Sequence, residues 1–167
     1  NAFHYMGVNA WLEEFPDAKL YASQKARKRL SKKGFQNIVH LENEWPEFPE
    51  GYEVLIPPGH RGGDVWLSKQ GRDGKSLWIT CDSFLNYDRV SKQPIARALQ
   101  YLLGAAPGLK ISLVIKWLLL DRRSKFKMWV LNQLKNDKPT VLIPSHGEVE
   151  HDLELSERLR YLIEAKL

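Results

Sequence analysis

Two short apolar segments of this chain end in the same way. Residues 53–64 read EVLIPPGHRGGD and residues 140–148 read TVLIPSHGE, so each segment delivers a histidine, His60 or His146, into a turn with proline and glycine. An apolar run that stops at proline predicts a β-strand that ends there, and TVLIP is predicted to be a buried one. Layered α/β folds collect reactive side chains at strand ends, so the two segments predict one shared site.

Strand-like and helix-like segments alternate along the rest of the chain. Apolar spacing predicts helices within residues 6–15, 23–33, 88–103, 124–134 and 152–167. Strands are predicted at 18–22 and 37–41, and two more within 63–82 around a turn rich in glycine and aspartate. Ser23 is placed to cap the second helix. The alternation predicts a layered α/β fold in a single domain over residues 1–167.

Charge and cysteine content exclude several classes of protein. The net charge of +5 comes largely from residues 23–33, where no aromatic residue interleaves the lysines and arginines, so we expect a solvated helix face and no nucleic-acid partner. One cysteine, Cys81, excludes an intramolecular disulfide and favours a reducing compartment, the cytoplasm. The longest apolar run, residues 111–120, contains Lys116 and is too short to span a membrane.

Four residues have the chemistry of metal ligands and lie at the ends of predicted strands or at the start of a helix. They are His4, His60, Asp82 and His146. Imidazole and carboxylate are the ligands that Zn²⁺ takes from proteins. Taken singly, each has a plain structural interpretation as a turn residue, a helix cap or part of a chain end. Their shared placement favours one joint site.

The other candidate ligands fit a structural role better. His40 lies within an apolar strand, and His151, although three residues from Glu148, lies at the polar start of the last helix. Cys81 directly precedes Asp82, so strand alternation predicts that its side chain points to the opposite face as a buried, inert thiol. The sequence carries no Ser/His/Asp triad signature, phosphate-binding loop or dinucleotide fingerprint.

In this order, the segments FPDAKLYAS, EVLIPPGHRGGD, LWITCD and VLIPSHG resemble those of the metallo-β-lactamase superfamily. The resemblance covers nearly the whole chain and implies an αββα sandwich. It also implies that the N-terminal part of the domain is missing, so that this chain is its C-terminal two-thirds. In the family's pattern, His60 belongs to a first metal site, Asp82 bridges two metals and His146 completes the second site.

The chain departs from the family at its first motif, His-x-His-x-Asp-His. Alignment through Gly7 and FPDA places His4 at the last histidine, a second-site ligand, with Phe3 in place of the aspartate and Asn1 in place of the middle histidine. A second register makes His4 the middle histidine, with Met6 and Gly7 replacing aspartate and histidine. The first register needs no gap and is preferred. In both registers the aspartate is absent.

The resemblance implies a metal-dependent hydrolase with one ion, zinc or iron. Metal-activated hydroxide would attack a small ester, thioester, lactone or phosphoester, with Asp82 as the catalytic carboxylate. Arg61 is the candidate contact for an anionic substrate. The alternative is an inactive relative that serves as a binding or scaffold module, which the missing aspartate favours. A nucleic-acid-processing relative rests only on the basic helix.

Residues 94–135 occupy the part of the chain that shapes the substrate pocket in this family. The segment is apolar on one side and basic on the other. Core packing is the simplest interpretation, and a lid, a dimer face or a membrane-contacting surface are the alternatives.

Overall fold

A computed structural model describes residues 1–71 and 73–167, and in these residues five α-helices alternate with ten strands. The helices are α1 (Val8–Glu14), α2 (Gln24–Lys32), α3 (Pro94–Leu102), α4 (Arg123–Asn136) and α5 (Leu155–Lys166). The strands are β1 (Tyr21–Ala22), β2 (Val39–His40), β3 (Tyr52–Leu55), β4 (Trp66–Gln70), β5 (Ser76–Ile79), β6 (Leu85–Tyr87), β7 (Gly108–Lys110), β8 (Pro139–Ile143), β9 (His146–Gly147) and β10 (Glu150–His151). A π-helical turn covers Ile115–Leu119.

The largest sheet has five strands in the order β10–β8–β5–β4–β3. Strands β3, β4 and β5 form an antiparallel meander, β8 lies parallel to β5, and β10 runs antiparallel to β8. The two apolar strands that end at proline are therefore β3, at an edge, and β8, in the interior. Residues that follow β5 and β8 leave the sheet at the same edge because these strands are parallel.

One face of this sheet packs against α4 and α5. Trp66, Trp78 and Leu142 of the sheet lie in one buried cluster with Val130 of α4 and Leu159 of α5. These side chains are at most 1% exposed. Burial of such large side chains stabilises the fold by about 1.5–3 kcal/mol each.

The opposite face of the sheet is open. Val54, Leu67 and Ile79 line a cleft of about 640 Å³ there, and Ile79 is 38% exposed. The α/β class is thus confirmed. The full αββα sandwich, which would place a second sheet against this face, stays a prediction.

A second, smaller cluster holds α2 against the first residues of the chain. Its members are Ala2, Ala22, Ala26, Leu30, Phe35 and Ile38. Strands β1 and β2 pair in parallel beside this cluster. Ser23 caps α2 as predicted, since its Oγ accepts a hydrogen bond from the Ala26 amide.

The predicted helix over residues 88–103 is shorter in the structure. It begins at Pro94, whose fixed φ and missing N–H suit the first turn of a helix. The residues after it form β7 and the π-helical turn. In the part of the chain that the structure describes, no helix is both long and apolar enough to cross a membrane.

Candidate metal centre

Asp82 lies in the turn between β5 and β6 and is almost fully buried, at 6% exposed. Its Oδ1 is 2.7 Å from Nε2 of His4 and 3.2 Å from Nε2 of His146. One carboxylate oxygen therefore joins two imidazole rings, whose centroids are 5.2 Å apart. Three of the four predicted ligands meet at one point.

Separate parts of the fold bring the two histidines to Asp82. His4 lies in a turn closed by Asn1, whose Oδ1 accepts hydrogen bonds from the amides of Phe3 and His4. His146 opens β9, which pairs with β6 in parallel and places His146 opposite Leu85. Both rings keep one side open to solvent, because their side chains are 37% and 43% exposed.

His60 is placed differently from the other candidates. It is fully buried, and neither Nδ1 nor Nε2 has a hydrogen-bond partner among the described residues. Its Nε2 is 3.9 Å from Oδ2 of Asp64, too far for a hydrogen bond. Burial lowers the pKa of His60, so the ring is neutral at neutral pH. A neutral, buried imidazole without a partner has the protonation state that a metal ligand needs.

Glycine is required at positions 62 and 63, after His60, because neighbouring residues approach the backbone closely there. A Cβ at Gly62 would lie 2.6 Å from the Phe3 ring, and one at Gly63 would lie 2.3 Å from Ser23 Oγ. The same serine hydroxyl donates a hydrogen bond to the Gly63 carbonyl, and the Ala2 amide donates one to Gly62. The glycine-rich turn after β3 thus fixes the N-terminal segment, and with it His4.

Asp64 belongs to the same region, although the sequence analysis did not select it. Its carboxylate is fully buried and accepts hydrogen bonds from Ser83, Asn1, Trp66 and the Asp82 amide. Burial acts to raise the pKa of Asp64, but attraction to His60 and the donated hydrogen bonds lower it more. The sequence feature that could have identified Asp64 is its position directly after Gly62 and Gly63, at the end of the first histidine segment.

The prediction for the direction of Cys81 was wrong. Strand β5 ends at Ile79, so the alternation of side chains does not extend to residues 80–82. The Sγ of Cys81 lies within 4.8 Å of ligand atoms of His4 and Asp82, and the three could hold a metal ion together. Burial, with a contribution from Asp64, raises the pKa of Cys81 to about 12, so the thiol is protonated.

Asn1 fills the space between these groups. Its Nδ2 is 2.7 Å from Oδ2 of Asp82, 3.0 Å from Oδ1 of Asp64 and 3.2 Å from Sγ of Cys81. An amide donor therefore lies where three potential ligand atoms converge.

The remaining candidates lie outside the cluster. Arg61 is exposed, and its side chain forms no ion pair within the described ranges; its backbone amide bonds to the Leu119 carbonyl. His40 contacts Arg27, and His151 is exposed on β10. Both lie away from the cluster, as expected, but His151 belongs to β10 and not to the start of the last helix, which begins at Leu155.

A cavity of about 200 Å³ adjoins the cluster. Asp82 and His146 line it on the polar side, and Leu103, Ile115 and Leu119 line it on the apolar side. The apolar wall comes from the segment after α3 and from the π-helical turn. A small molecule in this cavity would touch the carboxylate and one imidazole.

The donor set could hold a metal ion. His4, Cys81 and Asp82 offer ligand atoms within 4.8 Å of one another, and His146 contacts the same carboxylate. Imidazole, thiolate and carboxylate are ligands that metal ions take from proteins. The buried ring nitrogens of His60 have no hydrogen-bond partner among the described residues. No model of a known protein family matches the chain, and no curated protein matches it.

Proposed function

We propose that this chain is a metallo-β-lactamase-like, metal-dependent hydrolase that holds one zinc or iron ion. The observation that carries the proposal is the meeting of His4 and His146 at a single oxygen of Asp82. In the sequence, His4 lies 78 positions before Asp82, and His146 lies 64 positions after it. They come from the N-terminal segment, the β5–β6 turn and β9.

His4, Asp82 and His146 would hold the ion, with Cys81 and His60 as the neighbouring donors. A bound ion of this kind supplies Lewis-acid activation of water and of the substrate's carbonyl or phosphoryl group. Asn1 orients Asp82, because its amide donates a hydrogen bond to Oδ2, the carboxylate oxygen that does not contact the imidazoles. A hydrogen bond from a neighbouring residue to a metal ligand orients that ligand and raises metal affinity.

The cavity beside the cluster supports a small-molecule substrate. Its apolar wall favours an apolar group next to the bond that is cleaved, in an ester, thioester, lactone or phosphoester. Arg61 is the proposed contact for an anionic part of the substrate. The same apolar wall reduces the access of water to Asp82 and His146 on that side of the cavity.

A binding or scaffold module with a remnant site is the second candidate. The position of Asn1 favours it, because an amide already donates to Asp64, Asp82 and Cys81. An amide donor satisfies the negative oxygens without a cation. This candidate predicts that the protein carries no metal.

The cytoplasm is the proposed location, since the single free cysteine suits a reducing compartment. We propose no nucleic-acid partner. Lys25 of the basic helix α2 already pairs with Asp121 at 3.1 Å, and the other basic residues of the helix lack interleaved aromatic groups.

Metal content tests the proposal most directly. Plasma mass spectrometry of the wild type, grown with zinc and iron and kept reduced, should give about one ion per chain. Asp82→Asn and the double variant His60→Ala, His146→Ala should lose it. His151→Ala is the matched control, because this exposed histidine lies on β10 away from the cluster, and it should keep the ion.

The outcomes separate the two candidates. Metal lost in the cluster variants and kept in the control justifies a screen of ester, thioester, lactone and phosphoester substrates. No metal above background in the wild type contradicts the hydrolase and favours the binding module. Metal retained in Asp82→Asn would show that the ion binds elsewhere.

A further inference from the structure

Helix α3 exposes its apolar stripe to solvent. Ile95, Leu99 and Leu102 follow the i, i+4, i+7 spacing of one helix face, and they are 79%, 48% and 71% exposed. None of the residues of α3 is buried. An amphipathic helix of a globular protein normally turns such a stripe toward the core. The sequence of α3 therefore has an apolar face that the fold of this chain does not use.

A second exposed apolar group continues from α3. Leu113, Trp117 and Leu118 are all exposed, and the Leu113 amide donates a hydrogen bond to the Leu103 carbonyl just past the end of α3. Exposed apolar side chains grouped in this way favour an interaction site. We call Ile95, Leu99, Leu102, Leu113, Trp117 and Leu118 the apolar surface of residues 95–118.

The charged residues of the segment that carries this surface have one sign. Residues 90–120 contain Lys92, Arg97, Lys110 and Lys116 and no aspartate or glutamate. The guanidinium of Arg123 lies 4.0 Å from the centre of the Trp117 ring, so a further cation adjoins it. The first acidic residue that follows, Asp121, is paired with Lys25.

We propose that the apolar surface of residues 95–118 binds to the surface of an anionic lipid bilayer. An apolar helix stripe with lysine and arginine beside it, together with a tryptophan flanked by cations, is the composition of helices that lie in the membrane interface. Each basic residue near an anionic leaflet contributes attraction that falls off within a Debye length.

The charge argues against a second copy of this chain as the occupant. Two copies joined at this surface would bring two sets of positive charges, Lys92, Arg97, Lys110 and Lys116 of each copy, to one interface. Like charges across an interface disfavour association, whereas anionic headgroups compensate them. The proposal is independent of the hydrolase. Leu103 also lines the cavity beside Asp82, so membrane binding would bring that cavity close to lipid.

Cosedimentation of the full chain with vesicles tests the proposal. Vesicles of phosphatidylcholine alone are compared with vesicles that contain three parts of phosphatidylserine to seven of phosphatidylcholine. We expect binding to the mixed vesicles, at least tenfold weaker binding to the neutral ones, and a loss of binding as salt is raised.

Two pairs of variants assign the binding to this surface. Ile95→Ser with Leu102→Ser should weaken binding at least tenfold, while Leu153→Ser with Tyr161→Ser, equally exposed elsewhere, should not. Arg97→Glu with Lys116→Glu should abolish binding, while Lys28→Glu with Lys32→Glu on α2 should reduce it far less. Circular dichroism and thermal melting verify the fold of each variant. We expect every variant to fold, because all eight side chains are exposed or only partly buried.

Three results would overturn the proposal. They are no binding to the mixed vesicles, equal binding to both kinds of vesicle, or equal effects of the α3 variants and their controls. A concentration-dependent dimer that Ile95→Ser with Leu102→Ser dissociates would assign the surface to a second copy of the chain. Sedimentation velocity without lipid measures that dimer.

Discussion

Gly147 is the residue that lets His146 reach Asp82. Its φ is +100°, and a Cβ there would lie 1.9 Å from the Asn86 carbonyl oxygen, on the strand that pairs with β9. The backbones of β6 and β9 can approach this closely only without a side chain. The glycine of the second histidine segment thus has a packing reason, in addition to its left-handed backbone.

Gly147→Ala should destabilise the fold and weaken metal binding. Gly108→Ala is the matched control, since its φ is +94° but a Cβ there would meet no described atom within 4 Å. We expect a loss of about 1–2 kcal/mol for Gly108→Ala from backbone strain alone. Gly147→Ala should lose at least about 2–3 kcal/mol and the metal as well. Urea unfolding and metal content measure both effects. Equal losses in the two variants would contradict the close approach.

Cys81 should be an unreactive thiol in the metal-free protein. Its pKa of about 12, against an ordinary 9.0, reduces the thiolate fraction at pH 8 about a thousandfold. Iodoacetamide labelling in the presence of a chelator should therefore be about a thousand times slower in the folded chain than in urea. The urea sample is the internal control. Labelling at equal rates in both states would contradict the half-buried, protonated thiol.

At the residue scale, sequence reasoning found the histidines and Asp82 because their types and their strand-end positions are unusual together. The same reasoning missed Asp64 and Asn1. An aspartate after two glycines and an asparagine in a turn have many ordinary roles, so neither residue type signals a site. Their roles depend on the approach of Asn1 to Asp64, Cys81 and Asp82, which are 63 or more positions away.

At the element scale, one arginine ties α5 to the edge of the main sheet. The Nη1 of Arg158 is 2.5 Å from Oε1 of Glu150 on β10 and 2.6 Å from Oδ2 of Asp152. Glu150 also accepts a hydrogen bond from Asn86 of β6. Arg158 therefore connects the last helix, the five-stranded sheet and the small sheet that carries His146.

Arg158→Met should lower the melting temperature at pH 7. The pKa of Asp152 lies below its usual value because Arg158 donates a hydrogen bond to it. This pair therefore stabilises the fold at pH values above 3.8, the ordinary pKa, and its contribution is lost as the pH falls through the lower value of the folded state. The difference in melting temperature between variant and wild type should shrink in acid.

Arg160→Met provides the control for Arg158→Met. Arg160 pairs with Glu157 inside α5, at 3.2 Å, and forms no other ion pair among the described residues. Its removal should change the melting temperature less, since an isolated pair within a helix contributes only about 0.3–0.5 kcal/mol. Thermal melts at pH 7 and pH 3 measure both variants. Equal effects at both pH values would contradict the ion-pair explanation for Arg158.

The spacing of apolar residues predicted the bounds of the helices that pack against the main sheet, and it was less accurate for the other apolar segments. Helices α4 and α5 lie close to their predicted bounds because each buries a stripe on the main sheet. Helix α3 has the same apolar spacing but exposes it. In the apolar run of residues 111–120, Ile115–Leu119 form a π-helical turn, while Ile111, Ile115 and Leu120 are buried in the main cluster. A periodic pattern of apolar residues predicts an apolar helix face, but it does not show what that face packs against.

At the scale of the whole molecule, the candidate site lies where the two apolar clusters meet. The cluster around α2 holds the segment that carries His4, and the main cluster holds the sheet that carries Asp82. The region around α2 is joined to the turn after β3 by the Ser23–Gly63 hydrogen bond and by the bond from Lys25 Nζ to the His60 carbonyl. An ion at this place would cross-link the two parts of the fold.

Metal binding should therefore stabilise the entire chain. A ligand at a hundredfold excess over its Kd adds about 2.7 kcal/mol to the free energy of unfolding. In a chain of this size that corresponds to a rise of about 5–10 °C in melting temperature. Zinc added to chelator-treated wild type and to His151→Ala should give this rise, and His146→Ala should give little or none. An equal rise in His146→Ala would locate the stabilising ion away from Asp82, and no rise in the wild type would leave the two clusters held by their protein contacts alone.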